Sequence, residues 1–207
     1  MYTLRVNGME YASERDASLL DFLRDEARMT SVKNGCGEGA CGACTVLVDG
    51  KKAKACVLRL SKLEGKRVVT VEGLSERERA VYVHCFAEAG AVQCGFCIPG
   101  MVLCAKALLD ENPAPTRADV KRAIRGNICR CTGYRKIEDA ILLAADFFRE
   151  NRPVPEDSGE GRIGAHLPRL DAAEKVLGTG LYADDIILPG MVYAKASRLT
   201  ANDIFFD

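Results

Sequence analysis

The sequence carries no surplus of charge: 29 Lys and Arg stand against 29 Asp and Glu. That balance offers no electrostatic attraction to nucleic acid or to an anionic membrane surface, and neither is expected as a partner. Long apolar runs are also missing. The longest, Ala140 to Phe148, is broken by Asp146 and falls far short of the roughly 20 residues needed to span a bilayer. The N-terminus, MYTLRVNGME, has no basic segment followed by an apolar one. No secretory signal is read there, and the expected location is the cytoplasm. No internal repeat and no low-complexity segment occurs.

Cysteine, by contrast, is abundant, with ten in 207 residues. In a reducing compartment such a number points to metal ligands rather than structural disulfides. The cysteines are grouped: Cys36, Cys41, Cys44 and Cys56, then Cys94 and Cys97, then Cys129 and Cys131, with Cys85 and Cys104 apart. The length allows one or two domains.

The first stretch alternates apolar and polar residues around Asn7-Gly8, a hairpin signal. Ser18 and Asp21 open a short helix, LLDFLRDEA, in the manner of a capping box. A second hairpin, TVLVDGKKAKACV, turns at Asp49-Gly50, and VVTVEG at 68–73 reads as a closing strand. Strands with one helix predict a small α+β unit of the β-grasp kind. Beyond it the period becomes helical. ERERAVYVHCFAEAG, GMVLCAKALLDEN after Pro99, ADVKRAIRG capped by Thr116 and Asp119, and KIEDAILLAADFFREN predict an all-α four-helix bundle. The composition of Asn151 to Gly164 is that of a linker. Residues 165–207 are too few for a domain of their own. Overall the expectation is α+β: a domain over 1–75, a helical domain over 76–150, a linker over 151–164 and a tail.

Cys36-x4-Cys41-x2-Cys44 followed by Cys56 has the spacing of plant-type [2Fe–2S] ferredoxins. Two irons need four thiolates converging from one tight loop and a neighbouring strand. Glycines at 35, 37, 39 and 42 let the backbone take positive φ and approach the sulfides closely. The spacing and the glycines argue against a four-cysteine zinc site. Cys94-x2-Cys97 with the distant Cys129-x-Cys131 is less specific. It admits a second [2Fe–2S] cluster, one zinc ion, or a redox dithiol at Cys94 and Cys97, although the helical surroundings are not those of a dithiol motif. Cys85 and Cys104 lie within helical patterns and read as small buried hydrophobes.

The segments NGCGEGACGACTVLVDG, GAVQCGFCIPGM and RGNICRCTGY resemble those of the xanthine dehydrogenase and aldehyde oxidoreductase family of molybdenum hydroxylases, and the resemblance runs from Tyr2 to about Glu150. It implies a ferredoxin-like N-terminal domain holding one [2Fe–2S] cluster. It also implies a second cluster on Cys94, Cys97, Cys129 and Cys131, the one nearer molybdenum. The first would lie toward flavin or an external acceptor. Gln93 and Cys131 would approach the molybdopterin cofactor, whereas Arg130 and Arg135 read by default as exposed charges, with a partner-facing role as the alternative. The stretch IGAHLPRLDAAEKVLGTGLYADDIILPGMVYAKASR resembles the opening of the family's molybdenum-binding subunit and departs from it at LTANDIFFD.

What the resemblance implies is an electron-transfer subunit, without a hydroxylation site or catalytic residue of its own. It would work with a molybdenum-binding large subunit and an FAD-binding subunit on a substrate such as the purine xanthine. The competing readings are a free-standing two-cluster ferredoxin and a zinc-stabilised interaction module. The tail, with strand-like GLYADDI and GMVYAKAS, is expected to be ordered only against another chain, because Leu181, Ile186, Ile187, Leu188, Met191 and Val192 have too few companions to bury them.

Overall fold

The computed structural model describes residues 1–155, 161, 163–164 and 167–194. Strands β1 (Tyr2–Val6) and β2 (Met9–Ser13) form an antiparallel hairpin, turning at Asn7 and Gly8, both with positive φ. The second hairpin, β3 (Thr45–Val48) and β4 (Lys51–Lys54), turns at Asp49 and Gly50 in the same way. β5 (Arg67–Val69) lies between the hairpins, parallel to β1 and antiparallel to β3, giving the order β2-β1-β5-β3-β4. Pairing Val68 with both Val6 and Val48 puts three valines in a row across the sheet, against a helix that supplies Leu19, Leu20, Phe22 and Leu23.

That helix, α1 (Leu19–Asp21), begins at Ser18, whose hydroxyl accepts the Asp21 N–H. The return bond of a full capping box is not made. From Phe22 to Glu26 the turn widens to a π-helix, the Ala27 N–H reaching back to the Phe22 carbonyl, and all four apolar residues stay buried. The strand expected over 68–73 ends early, at Val69. Asn7 supplies the reason: its Oδ1 accepts the Thr70 N–H at 2.9 Å and its Nδ2 donates to the Thr70 hydroxyl at 2.9 Å, diverting the backbone from the ladder into a 3₁₀ turn.

The helical unit comprises α2 (Glu76–Glu88), α3 (Ile98–Glu111), α4 (Arg117–Ile124) and α5 (Arg135–Arg149), each where the sequence pattern places it. Ser75 with Glu78 and Thr116 with Asp119 are full capping boxes, and Pro99 sits in the first turn of α3, where no N–H is needed. α2 packs on α5, α3 on α4 and α4 on α5 around Val81, Phe86, Met101, Leu103 and Ile141. Leu47, Val71 and Leu74 of the first unit belong to the same core, so the two units share apolar surface. No helix among the described residues is long and apolar enough to cross a membrane.

The tail corrects one expectation. Far from depending wholly on another chain, it forms α6 (Ala172–Leu177), which packs on α2 and α3 with Ala172 and Val176 fully buried. Next, the Lys33 ammonium, itself buried, donates to the Gly178 carbonyl at 3.1 Å. Asp185 pairs with Arg24 at 2.5 Å and Lys33 at 3.7 Å. GLYADDI is not a strand, because the Asp185 carboxylate accepts the Tyr182 N–H and draws the chain into a 3₁₀ turn at Ala183–Asp185. Of the six apolar residues expected to lack companions, Leu181 in the strap and Ile187, Leu188 and Val192 beyond it are more than half exposed, while Ile186 and Met191 are less so, at 47% and 36%. LTANDIFFD and the end of GMVYAKAS lie outside the described residues.

Burying Val176 contributes about 1.5–3 kcal/mol. Val176→Asp should therefore detach α6, measured as protease cleavage within 167–185 while residues 1–150 persist; cleavage no faster than in the parent would show that α6 is held elsewhere. Burial raises the Asp185 pKa, but hydrogen bonds from Arg24 and the Tyr182 N–H outweigh it and hold the carboxyl below its usual range. Its contribution is then present above about pH 4 and lost as the pH falls through the lowered value, so strap cleavage should accelerate only in acid.

Candidate metal centres

Cys36, Cys41 and Cys44 lie on an irregular loop that leads into β3, and Cys56 on the 3₁₀ turn that follows β4. The loop brings all four together. Cys36 and Cys41 are neighbours, as are Cys44 and Cys56, each close enough to affect the other's ionisation. Backbone donors surround these sulfurs: the Gly39 N–H reaches the Cys56 sulfur at 3.1 Å and the Cys41 N–H the Cys36 sulfur at 3.4 Å. The Cys41 N–H, followed by that of Glu38, pulls the Cys36 thiol down to about 7, favouring the thiolate a metal requires. Burial does the opposite at Cys44, pushed up to about 11.

Glycine serves two purposes in this loop. Gly37, Gly39 and Gly42 take positive φ as expected, but Gly35 does not. A Cβ at Gly35 would stand 2.8 Å from the Cys41 sulfur, so Gly35 is needed for close approach rather than for its backbone angle.

In the helical unit, Cys94 and Cys97 precede α3, Cys97 being its N-cap residue, and Cys129 and Cys131 lie on the turn between α4 and α5. The sulfurs of Cys94 and Cys131 are 3.7 Å apart, and Cys97 contacts Cys129. The turn is braced internally. The Cys129 N–H donates to the Tyr134 hydroxyl at 2.9 Å, Thr132 Oγ1 lies 3.1 Å from the Cys129 sulfur, and Tyr134 takes a positive φ to start α5. Burial pushes the Cys97 thiol strongly up. At Cys129 burial acts upward too, but the Thr132 hydroxyl and the N–H groups of Cys131 and Thr132 outweigh it, and the thiol is lowered.

In each site the four cysteines lie close enough to act on one another's ionisation, most strongly in pairs. A zinc site would need all four thiolates at about 2.3 Å from one centre. A pair of irons, each taking two thiolates, matches the arrangement.

The sites differ in access. Cys94 and Cys131 are exposed, as are Gln93 and Arg130, whereas Cys97 is buried and Cys129 half-buried. Arg135 is exposed and pairs with Asp139. The strap closes over the other side of this loop. The Tyr182 hydroxyl donates to the Cys94 carbonyl at 2.8 Å, the Tyr182 ring meets Phe96 edge-on at 5.2 Å, and the Lys175 ammonium stands 4.5 Å from that ring. Nothing in the sequence pattern marked Tyr182 or Lys175.

The two cysteine loops also touch each other. The Ile128 N–H donates to the Cys41 carbonyl at 2.8 Å, and a Cβ on Gly42 would meet the Gly126 carbonyl at 2.3 Å. Cys85 is buried, with its thiol pushed up to about 12 by burial, and it touches none of these cysteine groups, as expected of a small hydrophobe. Cys104 is buried too, but it donates to the Asn127 carboxamide at 3.2 Å, a polar role its spacing did not reveal.

The fold and the four sulfur pairs define an iron–sulfur protein of two cluster-binding units. Matching family models agree: a 2Fe-2S iron-sulfur cluster binding domain over residues 5–81 and a [2Fe-2S] binding domain over 70–142. The nicotinate dehydrogenase small FeS subunit of Eubacterium barkeri is 46% identical over 146 residues, which cover 69% of this chain and 93% of that one. The aldehyde oxidoreductase of Megalodesulfovibrio gigas is 38% identical along 97% of this chain, which spans only 24% of that protein. Among solved structures, the aldehyde oxidoreductase of Desulfovibrio desulfuricans ATCC 27774 superposes with a TM-score of 0.81 at 42% identity, covering 89% of this chain and 22% of that one. Quinoline 2-oxidoreductase of Pseudomonas putida 86 superposes with a TM-score of 0.65 at 40% identity, covering 72% and 95%. The chain belongs to the iron–sulfur subunits and regions of the molybdenum hydroxylase family.

Gly42→Ala tests the contact between the loops. The methyl group has no space and the φ of +72° disfavours it. A cost above about 1 kcal/mol is expected from the backbone angle alone. An unchanged denaturation midpoint would mean that the loops separate freely.

Proposed function

We propose that the chain is the electron relay of a molybdenum hydroxylase. One [2Fe–2S] cluster is held by Cys36, Cys41, Cys44 and Cys56, and a second by Cys94, Cys97, Cys129 and Cys131. The observation that carries this reading is the grouping of these cysteines into neighbouring pairs, two pairs in each matched cluster-binding domain. A [2Fe–2S] cluster supplies one-electron oxidation and reduction when bound.

The protein's part is to hold the thiolates, to aim N–H groups of Gly39 and Cys41 at sulfur, and to set how much water reaches each site, all of which tune potential. The working division is 1–75 for the first cluster domain, 76–150 for the second, 151–164 for the linker and 165–207 for a stretch like the start of a molybdenum-subunit domain.

Exposed Cys94, Cys131, Gln93 and Arg130 support placing the molybdopterin cofactor at this edge, with Gln93 and Cys131 nearest to it. The first cluster then faces flavin or another acceptor. The partners in this reading are a molybdenum-binding polypeptide or region and an FAD-binding one. The names of the relatives, which include nicotinate and aldehyde enzymes, support a substrate that is an aldehyde or a nitrogen heterocycle, xanthine among them. Ten free cysteines suit a reducing cytoplasm. The exposed apolar stretch from Leu181 to Tyr193 favours this reading over a free-standing ferredoxin, since a diffusing carrier gains nothing from such a surface.

The full chain should show two EPR-distinguishable [2Fe–2S] species on reduction. Cys44→Ser should remove one and Cys97→Ser the other, while Cys85→Ala keeps both at a cost of about 1 kcal/mol. A single species in the wild-type chain would sink the two-cluster assignment. Gln93→Ala should keep the iron content but slow reduction by substrate in the assembled enzyme; unaltered reduction would remove Gln93 from the cofactor edge.

A further inference from the structure

Asn127, only 4% exposed, ties the first cysteine loop to α3 and to the segment that leads into Cys129. Its Nδ2 donates to the Gly42 carbonyl at 2.9 Å and to the Thr45 hydroxyl at 3.2 Å, both on the first cysteine loop. Its Oδ1 accepts the Cys104 thiol at 3.2 Å, on α3, the helix that begins at Cys97. Its own backbone lies two residues before Cys129, and the next N–H, from Ile128, reaches the Cys41 carbonyl.

The Thr45 hydroxyl donates to the Gly42 carbonyl at 2.7 Å, so it can only accept from Asn127. Cβ atoms built on Gly42 and Gly100 would collide with this cluster of atoms, so the segments meet here backbone to backbone. Aspartate would put a carboxylate against the Gly42 carbonyl. Alanine would leave the Gly42 carbonyl and the Thr45 hydroxyl bound only within their own loop and would take the acceptor from the Cys104 thiol, so nothing polar would tie that loop to the Cys129 turn through this side chain.

We infer that Asn127 is a positioning residue that sets the separation and relative orientation of the two cluster sites, by holding the Cys41–Cys44 loop against both α3 and the Cys129 turn. It touches no proposed ligand sulfur itself. This inference rests on the two-cluster reading above.

The test is low-temperature EPR of the full chain with both clusters reduced, where two nearby spins split each other's signals in a way that depends on their distance and orientation. Asn127→Ala and Asn127→Asp should bind both clusters yet lose the wild-type splitting, and the Ile128 amide should exchange its hydrogen faster. Cys104→Ser, which keeps a donor to Oδ1, should retain the splitting, as should the packing-only variant Cys85→Ala. Should the Asn127 variants fail to fold, Thr45→Val removes only the hydroxyl beneath the carboxamide and should narrow the splitting. Wild-type splitting in Asn127→Ala or Asn127→Asp with both clusters bound, or in Thr45→Val, overturns the inference. A wild-type chain without two clusters would overturn the underlying reading instead.

Discussion

Two backbone surfaces meet in this protein with no space for a methyl group between them. Gly42 on one side and Gly126 with Asn127 on the other approach so closely that a side chain at Gly42 would overlap the Gly126 carbonyl. The first unit holds its cysteines on a loop, and a loop has few contacts with which to fix its place. Here it is held from outside, by the Asn127 carboxamide and the Ile128 N–H, and by Gly100 at the start of α3. Everything that depends on the two sites being near one another depends on this seam. The shared core of Leu47, Val71 and Leu74 with the helical residues reinforces it without defining it, since apolar contact is not directional.

Burial divides the sulfurs into an inner and an outer set. Cys44 and Cys97 sit in apolar surroundings that favour the neutral thiol, so holding them as thiolates needs the metal's charge or nearby donors. Cys36 is its opposite, with N–H groups aimed at its sulfur.

The strap from α6 to Asp185 has a different logic. It joins the helical unit to the first unit through a buried lysine, an arginine pair and a tyrosine laid over the Cys94 loop. The relatives built as separate small subunits align over the first two thirds or so of this chain, whereas the aldehyde oxidoreductase aligns along almost all of it. The strap therefore belongs to the stretch shared with the longer relative. Its apolar continuation is left uncovered, while its polar and aromatic anchors are already satisfied by the iron–sulfur units.

Local chemistry was legible without the structure. Asn-Gly and Asp-Gly turns, capping boxes at Ser75 and Thr116, and apolar residues at helical spacing each depend on neighbours within a few positions, so hairpins and helices could be read off directly. The run of Cys36, Cys41 and Cys44 was legible for the same reason, since its spacing is that of one loop, whereas Cys56 comes from the turn after β4. Long-range pairing was not legible. That Cys97 meets Cys129 and Cys94 meets Cys131, that Asn7 stops β5, and that Asn127 reaches Gly42 are decided by the packing of distant segments. The tail shows the division most clearly. Its apolar composition disclosed unsatisfied surface, but only the tertiary structure supplies the Lys33, Arg24 and Phe96 side chains that hold its first half, because those partners lie more than 80 positions away in the chain.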